Sequence, residues 1–175
     1  FVITTLFTDA IVFDPFATFF KILIIFATVL VCIVSLHSNE LSLYRKGEYF
    51  SLIGIVTFGL FLMVSSIDLI MIYISIEIVS IMSFVLAGYL KQNSRSNEAA
   101  LKYVVYGAFS SGIMLFGLSY VYGLAGSTNF FQIQQSLSSL GHESNTALII
   151  SIIMILAGFG YKISAVPFHF WTPDV

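Results

Sequence analysis

Five apolar runs dominate this sequence of 175 residues, and each reaches or approaches the ~20 residues that a helix needs to cross a bilayer. The first covers residues 15 to 36, with Asp14 placed to cap it and Pro15 in its first turn, where a missing N–H costs nothing. The second spans about 49 to 66 and the third, almost without a loop, about 68 to 90. The fourth spans about 98 to 124 and opens on the helix-favouring run Asn97-Glu98-Ala99-Ala100-Leu101. The fifth spans about 146 to 166 and runs into Pro167. Lipid offers backbone groups no hydrogen-bond partner, so runs of this length are expected to be helices. The expected fold is all-α, a polytopic transmembrane helix bundle. Between the fourth and fifth runs, residues 130 to 140 are too short to span. Phe130, Phe131, Ile133 and Leu137 interleave there with Gln132, Gln134, Gln135 and Ser136, as in an amphipathic segment lying at the interface.

Composition supports lipid as the solvent. The chain is 58% apolar and 9% charged, where a soluble domain carries roughly 25% charged residues. A net charge of −2 leaves no footprint for nucleic acid. The single cysteine, Cys32, excludes an internal disulfide, a thiolate metal site and an iron–sulfur cluster within this chain. No glycine-rich phosphate loop is present, so neither a cofactor nor a metal is expected to be held here. The chain begins at Phe1 without Met or a signal peptide and stops at Val175 just after a Trp-Thr-Pro-Asp turn. It reads as an internal stretch of a longer protein.

The loops orient the bundle. Arg45 and Lys46 lie between the first and second runs, Lys91 and Arg95 between the third and fourth. Residues 1 to 14, the turn between the second and third runs, and residues 125 to 145 contain no Lys or Arg. By the positive-inside rule the basic loops face the cytoplasm or its topological equivalent, and residues 1 to 14 form an external N-terminal segment.

Charges inside the runs are the candidates for function, because an ionised side chain at the centre of a transmembrane helix costs at least ~2.5–3.5 kcal/mol. At about 1.5 Å per residue, Glu77 lies roughly 14 Å from one end of its run and 20 Å from the other, too deep to snorkel. It must pair across helices, as a structural lock or a proton carrier, or stay protonated. Lys162 follows Gly158-Phe159-Gly160-Tyr161 near the end of the fifth run. Pro167, five residues on, is expected to break that helix and free carbonyls around Ile163. A lysine beside a broken helix is where transporters bind ions, though a lysine snorkelling to the interface would share the position. Lys102, about one turn into the fourth run, fits snorkelling as well as function, and Lys21 fits snorkelling better. Asp68 and Glu98 suit helix N-termini. His169 could relay protons near neutral pH or simply be hydrogen-bonded near an interface. His37, His142 and Glu143 read as solvated loop residues.

These residues carry a resemblance. Ser75-Ile76-Glu77-Ile78-Val79-Ser80 with Leu86-Ala87-Gly88-Tyr89 resembles the glutamate helix of the antiporter-like subunits of respiratory complex I, the NADH:quinone oxidoreductase. Glu98-Ala99-Ala100-Leu101-Lys102-Tyr103, then residues 123 to 130, resembles the N-type members of that group. The stretch from Gly158 to Lys162, continued through Val166-Pro167-Phe168-His169-Phe170-Trp171-Thr172-Pro173-Asp174-Val175, is similar to their broken-helix signature. The likeness covers about residues 65 to 175; residues 1 to 64 match only as apolar helices. It implies that residues 67 to 175 are part of an antiporter-like five-helix repeat that forms a proton half-channel, with two preceding helices in 15 to 66. It also implies that Glu77, Lys102 and Lys162 belong to one proton path, with His169 a further candidate.

The expected function is that of a proton-translocating membrane subunit of an NADH:quinone oxidoreductase, with no redox centre in this chain. Quinone reduction elsewhere would drive a switchable Glu77–Lys162 pair. Expected partners are other membrane subunits of the complex, the lipid bilayer, protons and channel water, with no nucleic acid. The location expected is a bacterial inner membrane rather than a mitochondrial one. Two alternatives stay open: a subunit of a cation/proton antiporter or membrane-bound hydrogenase, and a structural membrane scaffold in which the Glu77–Lys162 contact only locks helices together.

Overall fold

The computed structural model describes residues 4–38, 46–138 and 145–175; Arg45, His142 and Glu143 lie outside the described residues, as do residues 139 and 140 of the interfacial segment. The described chain runs β1 (Thr4–Leu6), β2 (Ile11–Phe13), α1 (Pro15–Leu36), α2 (Lys46–Ser65), α3 (Leu69–Ala87), α4 (Ser94–Ala125), α5 (Phe130–Ser138) and α6 (Asn145–Lys162), then a short 3-10 turn at Thr172–Asp174. Among the described residues α1 to α4 are long and apolar enough to cross a membrane, whereas α6 is a shorter apolar helix.

Local chemistry sets the helix starts. Asp14 has extended backbone and its carboxylate accepts the Ala17 N–H at 2.7 Å, while Pro15 fills the first turn. Asp68 caps α3 by accepting from Ile70 and Met71 at 2.9 and 3.1 Å. Asn93 caps α4 through the Arg95 N–H, so α4 begins at Ser94 rather than near Glu98. The helix reaches upstream because the cap lies in the polar loop, beyond the apolar run.

At the end carrying Lys46, Lys91 and Arg95, Ser35 bonds Tyr49 at 3.1 Å and the Tyr49 ring meets Tyr89 edge to face. At the opposite end β1 and β2 form an antiparallel hairpin, Thr4 opposite Phe13, whose loop residues Phe7, Thr8 and Asp9 all have positive φ. The hairpin is stitched to two other connections. Ile67 N–H donates to the Ala10 carbonyl at 3.0 Å, Leu69 N–H to Thr128 at 2.8 Å, and Phe130 N–H to Ile67 at 3.1 Å. Three extended segments thus satisfy one another's backbone groups where the chain turns.

The bundle is loosest at α1, whose Phe16, Phe19 and Phe26 are exposed as lipid-facing side chains would be, and tightest where α6 packs along α4. A methyl group on Gly158 would lie 2.4 Å from Met114 Cβ, and one on Gly117 would lie 2.8 Å from the Ser151 carbonyl. Those glycines let the two backbones approach closely, and Ser110 adds a bond to the Gly158 carbonyl at 3.3 Å.

The fifth run does not continue to Pro167. It ends at Lys162, because Ser164 adopts left-handed backbone with φ of 56°. Ser164 N–H then bonds the Tyr161 carbonyl at 3.1 Å and Ala165 N–H the Gly160 carbonyl at 2.8 Å, the paired bonds of a Schellman cap with serine in glycine's usual place. Pro167 therefore lies five residues beyond the last residue of α6, and the Gly160 and Tyr161 carbonyls are satisfied by the cap. The Trp171 indole also donates to Tyr161 O at 3.1 Å.

Candidate functional site

Three helices bring the charged candidates together. Glu77 comes from the middle of α3, and Lys162 is the last residue of α6, where the negative end of the helix dipole favours a cation. Lys162 Nζ stands 3.4 Å from Glu77 Oε1, with side chains 14% and 21% exposed respectively. Two serines complete the cluster. Ser111 of α4 donates to Glu77 Oε1 at 2.6 Å, and Lys162 Nζ donates to Ser80 Oγ at 2.6 Å. The ammonium also lies 5.8 Å from the centre of the Phe84 ring, within cation–π range.

An aromatic group closes the cluster toward the basic end. Phe84 meets Tyr103 edge to face, Tyr103 stacks flat on Trp171 with centroids 4.5 Å apart, and Trp171 leans on Tyr161. Toward the hairpin end the neighbouring space is apolar. A cleft of about 250 Å³ begins at Ile76, next to Glu77 in the chain, and at Met114, one turn from Ser111, and continues past Tyr73, Leu118, Ile155 and Phe159. The polar cluster lies between an aromatic layer and an apolar one.

The other candidates lie elsewhere. Lys102 pairs with Glu98 on its own helix at 2.9 Å and is 37% exposed, about 13 Å along α4 from Ser111. His169 follows the end of α6 with an exposed side chain. Lys21 reaches back to lie over the Phe13 ring at 5.5 Å. The serines had one signal in the sequence: Ser80 is three residues from Glu77, one turn along the same face. Ser111 had none beyond being a hydroxyl in an apolar helix. Among the described residues no group of His, Cys, Asp and Glu could hold a metal ion.

The fold is that of a multi-span membrane protein in which an acid and an amine face each other between helices. Residues 66–175 match the family described as NADH:quinone oxidoreductase/Mrp antiporter, transmembrane, and the chain belongs to that family. It is similar to NADH-quinone oxidoreductase subunit N 2 of Chloroherpeton thalassium, 51% identical over 93% of this chain and 32% of the relative. It is also similar to subunit N of Chlorobium chlorochromatii, 45% identical over 94% of this chain and 32% of the relative. The chain thus spans about a third of the length of the curated relatives it matches. A solved structure of respiratory complex I from Thermus thermophilus with bound aureothin superposes with a TM-score of 0.75 at 26% identity, over 99% of this chain and 36% of that one. The membrane-bound sulfane sulfur reductase, an archaeal respiratory membrane complex, shares the fold with a TM-score of 0.75 at 23% identity, over 91% of this chain and 31% of that one.

Proposed function

We propose that this chain is the proton-handling part of a membrane subunit of an NADH:quinone oxidoreductase, and that Glu77 and Lys162 form its switchable pair. The 3.4 Å approach of their charged atoms carries the reading. It is supported by the subunit N names of the relatives. Lys102 and His169 are proposed as outlying members of the path, reached through water. Partner subunits supply the redox chemistry and the quinone site. The bacterial relatives favour a plasma membrane, with the face carrying Lys46, Lys91 and Arg95 turned to the cytoplasm.

The mechanism needs only a change of separation. In the close state lysine is held protonated and glutamate ionised, each stabilising the other's charge. At 3.4 Å and an effective dielectric of ~20 the attraction is about 5 kcal/mol, and doubling the distance removes about half of it. That loss matches the ~2.3 kcal/mol needed to move one charge against 100 mV. A redox-linked displacement of a few ångströms therefore suffices to release the lysine proton to neighbouring water.

The test is Glu77→Gln in the whole complex, reconstituted in vesicles, with protons moved per electron as the readout. A reduced ratio is expected, and an unchanged one ends the assignment. A second reading, a subunit of a cation/proton antiporter, is favoured by the breadth of the matching family, which includes antiporters. Sodium-driven proton flux without electron transfer would select it.

A further inference from the structure

We propose that Ser111 and Ser80 are positioning residues that hold the two ions of the Glu77–Lys162 pair individually, so that the pair can open without stranding either charge. The inference rests on the proton-handling reading of that pair. Its ground is a ranking of distances. Each ion is 2.6 Å from its own serine and 3.4 Å from the other ion. A charge-assisted N–H···O bond closes to about 2.7–2.9 Å, so each ion is bonded more tightly to its hydroxyl than to its counter-ion.

The polarity of each hydroxyl suits its partner. Ser80 spends its proton on the Ile76 carbonyl at 2.8 Å, on its own helix. Its lone pairs are thereby left to accept from the lysine ammonium, which has only protons to give. Ser111 donates its proton to Glu77 Oε1, and a carboxylate can only accept. Both serines are buried, at 5% exposure for Ser111 and 6% for Ser80, so water does not readily replace them. They also stand on different helices from the ion each holds: Ser111 on α4 faces Glu77 on α3, and Ser80 on α3 faces Lys162 at the end of α6.

Opening the pair by turning the Lys162 and Glu77 side chains apart, with α3 and α6 left in place, would otherwise expose two bare charges to a poorly polar surrounding, a state disfavoured enough to keep the pair shut. With a donor fixed on the acid and an acceptor fixed on the amine, the separated state retains one strong bond per ion. The serines flatten the path between closed and open states while leaving net charge untouched. Ser110 makes a useful contrast, since it is next to Ser111 yet bonds the Gly158 carbonyl.

The experiment uses the complete complex carrying Ser111→Ala, Ser80→Ala, Ser110→Ala or Glu77→Gln in the full-length subunit. Coupled turnover and protons per electron are read together with the infrared carboxylate stretch that disappears in Glu77→Gln. Ser111→Ala and Ser80→Ala are each expected to slow coupled turnover about tenfold, the scale of one hydrogen bond to a charged group. Ser111→Ala should also shift the Glu77 carboxylate band, Ser110→Ala should leave band and turnover as they are, and Ser111→Thr should restore both. If the alanine variant does not accumulate, Ser111→Cys keeps the volume with a far weaker donor and should shift the band likewise. An unmoved band with normal coupling in the serine variants, beside lost pumping in Glu77→Gln, overturns the latch and leaves the pair's role standing. Equal losses in Ser110→Ala and Ser111→Ala also overturn it, as a packing effect. Normal pumping in Glu77→Gln removes the role of the pair itself.

Discussion

Trp171 lies flat on Tyr103, their ring centroids 4.5 Å apart and their planes only 12° from parallel. The contact joins the segment after α6 to the first third of α4 and covers the helix end that presents Lys162. The same indole donates to Tyr161 O, so one side chain both stacks and caps.

Replacing Trp171 separates those two roles. Trp171→Phe keeps a ring on Tyr103 but removes the indole donor, a loss of about 1 kcal/mol that should stay local. Trp171→Ala empties a buried site and should cost about 3–5 kcal/mol. Amide hydrogen exchange at residues 163 to 171 is the measurement: modestly faster in Trp171→Phe, much faster in Trp171→Ala. Exchange as slow as wild type in both variants would show that the indole does not anchor the segment.

The pair itself makes a stability prediction that differs from its functional one. Lys162→Met leaves an ionised Glu77 with Ser111 alone, and removing one partner of a buried pair costs about 3–5 kcal/mol. Glu77→Leu combined with Lys162→Met removes both charges and should assemble better than either single variant, yet fail to pump. Levels of assembled complex after mild heating check the first half, and vesicle pumping the second. A double variant that pumped normally would point to a scaffold role for the contact.

The close approach of α4 and α6 is expected to tolerate no side chain at Gly158. Gly158→Val would drive a Cβ to within 2.4 Å of Met114 Cβ, and overpacking of this kind costs about 1–3 kcal/mol or more. Because α6 carries Lys162, the displacement should also weaken coupling. Gly112→Ala is the matched control: nothing lies within 4 Å of its would-be Cβ, and alanine is favoured over glycine inside a helix by roughly 0.5–1 kcal/mol. Subunit abundance in membranes should fall for Gly158→Val and hold or rise for Gly112→Ala.

How much of this was legible beforehand depends on the physics behind each feature. Asp14-Pro15 and Asp68 marked helix starts because capping is local, settled by three or four adjacent residues. Glu77 stood out because lipid makes a mid-helix carboxylate anomalous whatever surrounds it. Ser111 did not, since a serine in an apolar helix usually bonds its own helix, as Ser75 and Ser151 do here. The hairpin escaped notice because its strands have three residues each and the contacts that anchor it reach Ser66 and Ile67 in a distant connection. The end of α6 was misplaced for a related reason. Pro167 is a visible breaker, whereas the left-handed turn at Ser164 is held by Ser164 N–H, Ala165 N–H and the Thr172–Ser164 hydroxyl contact at 2.9 Å, which no local pattern announces.

A site that exchanges protons must not connect both faces of the membrane at once, so one side of Glu77 needs a barrier. The apolar cleft toward the hairpin end supplies one, lined by Ile76, Met114, Leu118, Ile155 and Phe159 beside Tyr73. Water entering such a space would forgo the two to four hydrogen-bond partners it ordinarily requires. Leu118 lines this cleft and also a second apolar one of about 310 Å³ between α3 and α4, so it stands where the two meet. Leu118→Asn places an amide there, offering both a donor and an acceptor to water. With the whole complex in vesicles, no electron donor and an imposed potential, passive proton entry should rise in this variant while Leu118→Met stays as tight as wild type. The leak should disappear again when Glu77→Gln is added, because the carboxylate is the inner end of the route. A leak indifferent to Glu77 would place the barrier elsewhere, and no leak at all would mean that a single amide does not wet the cleft.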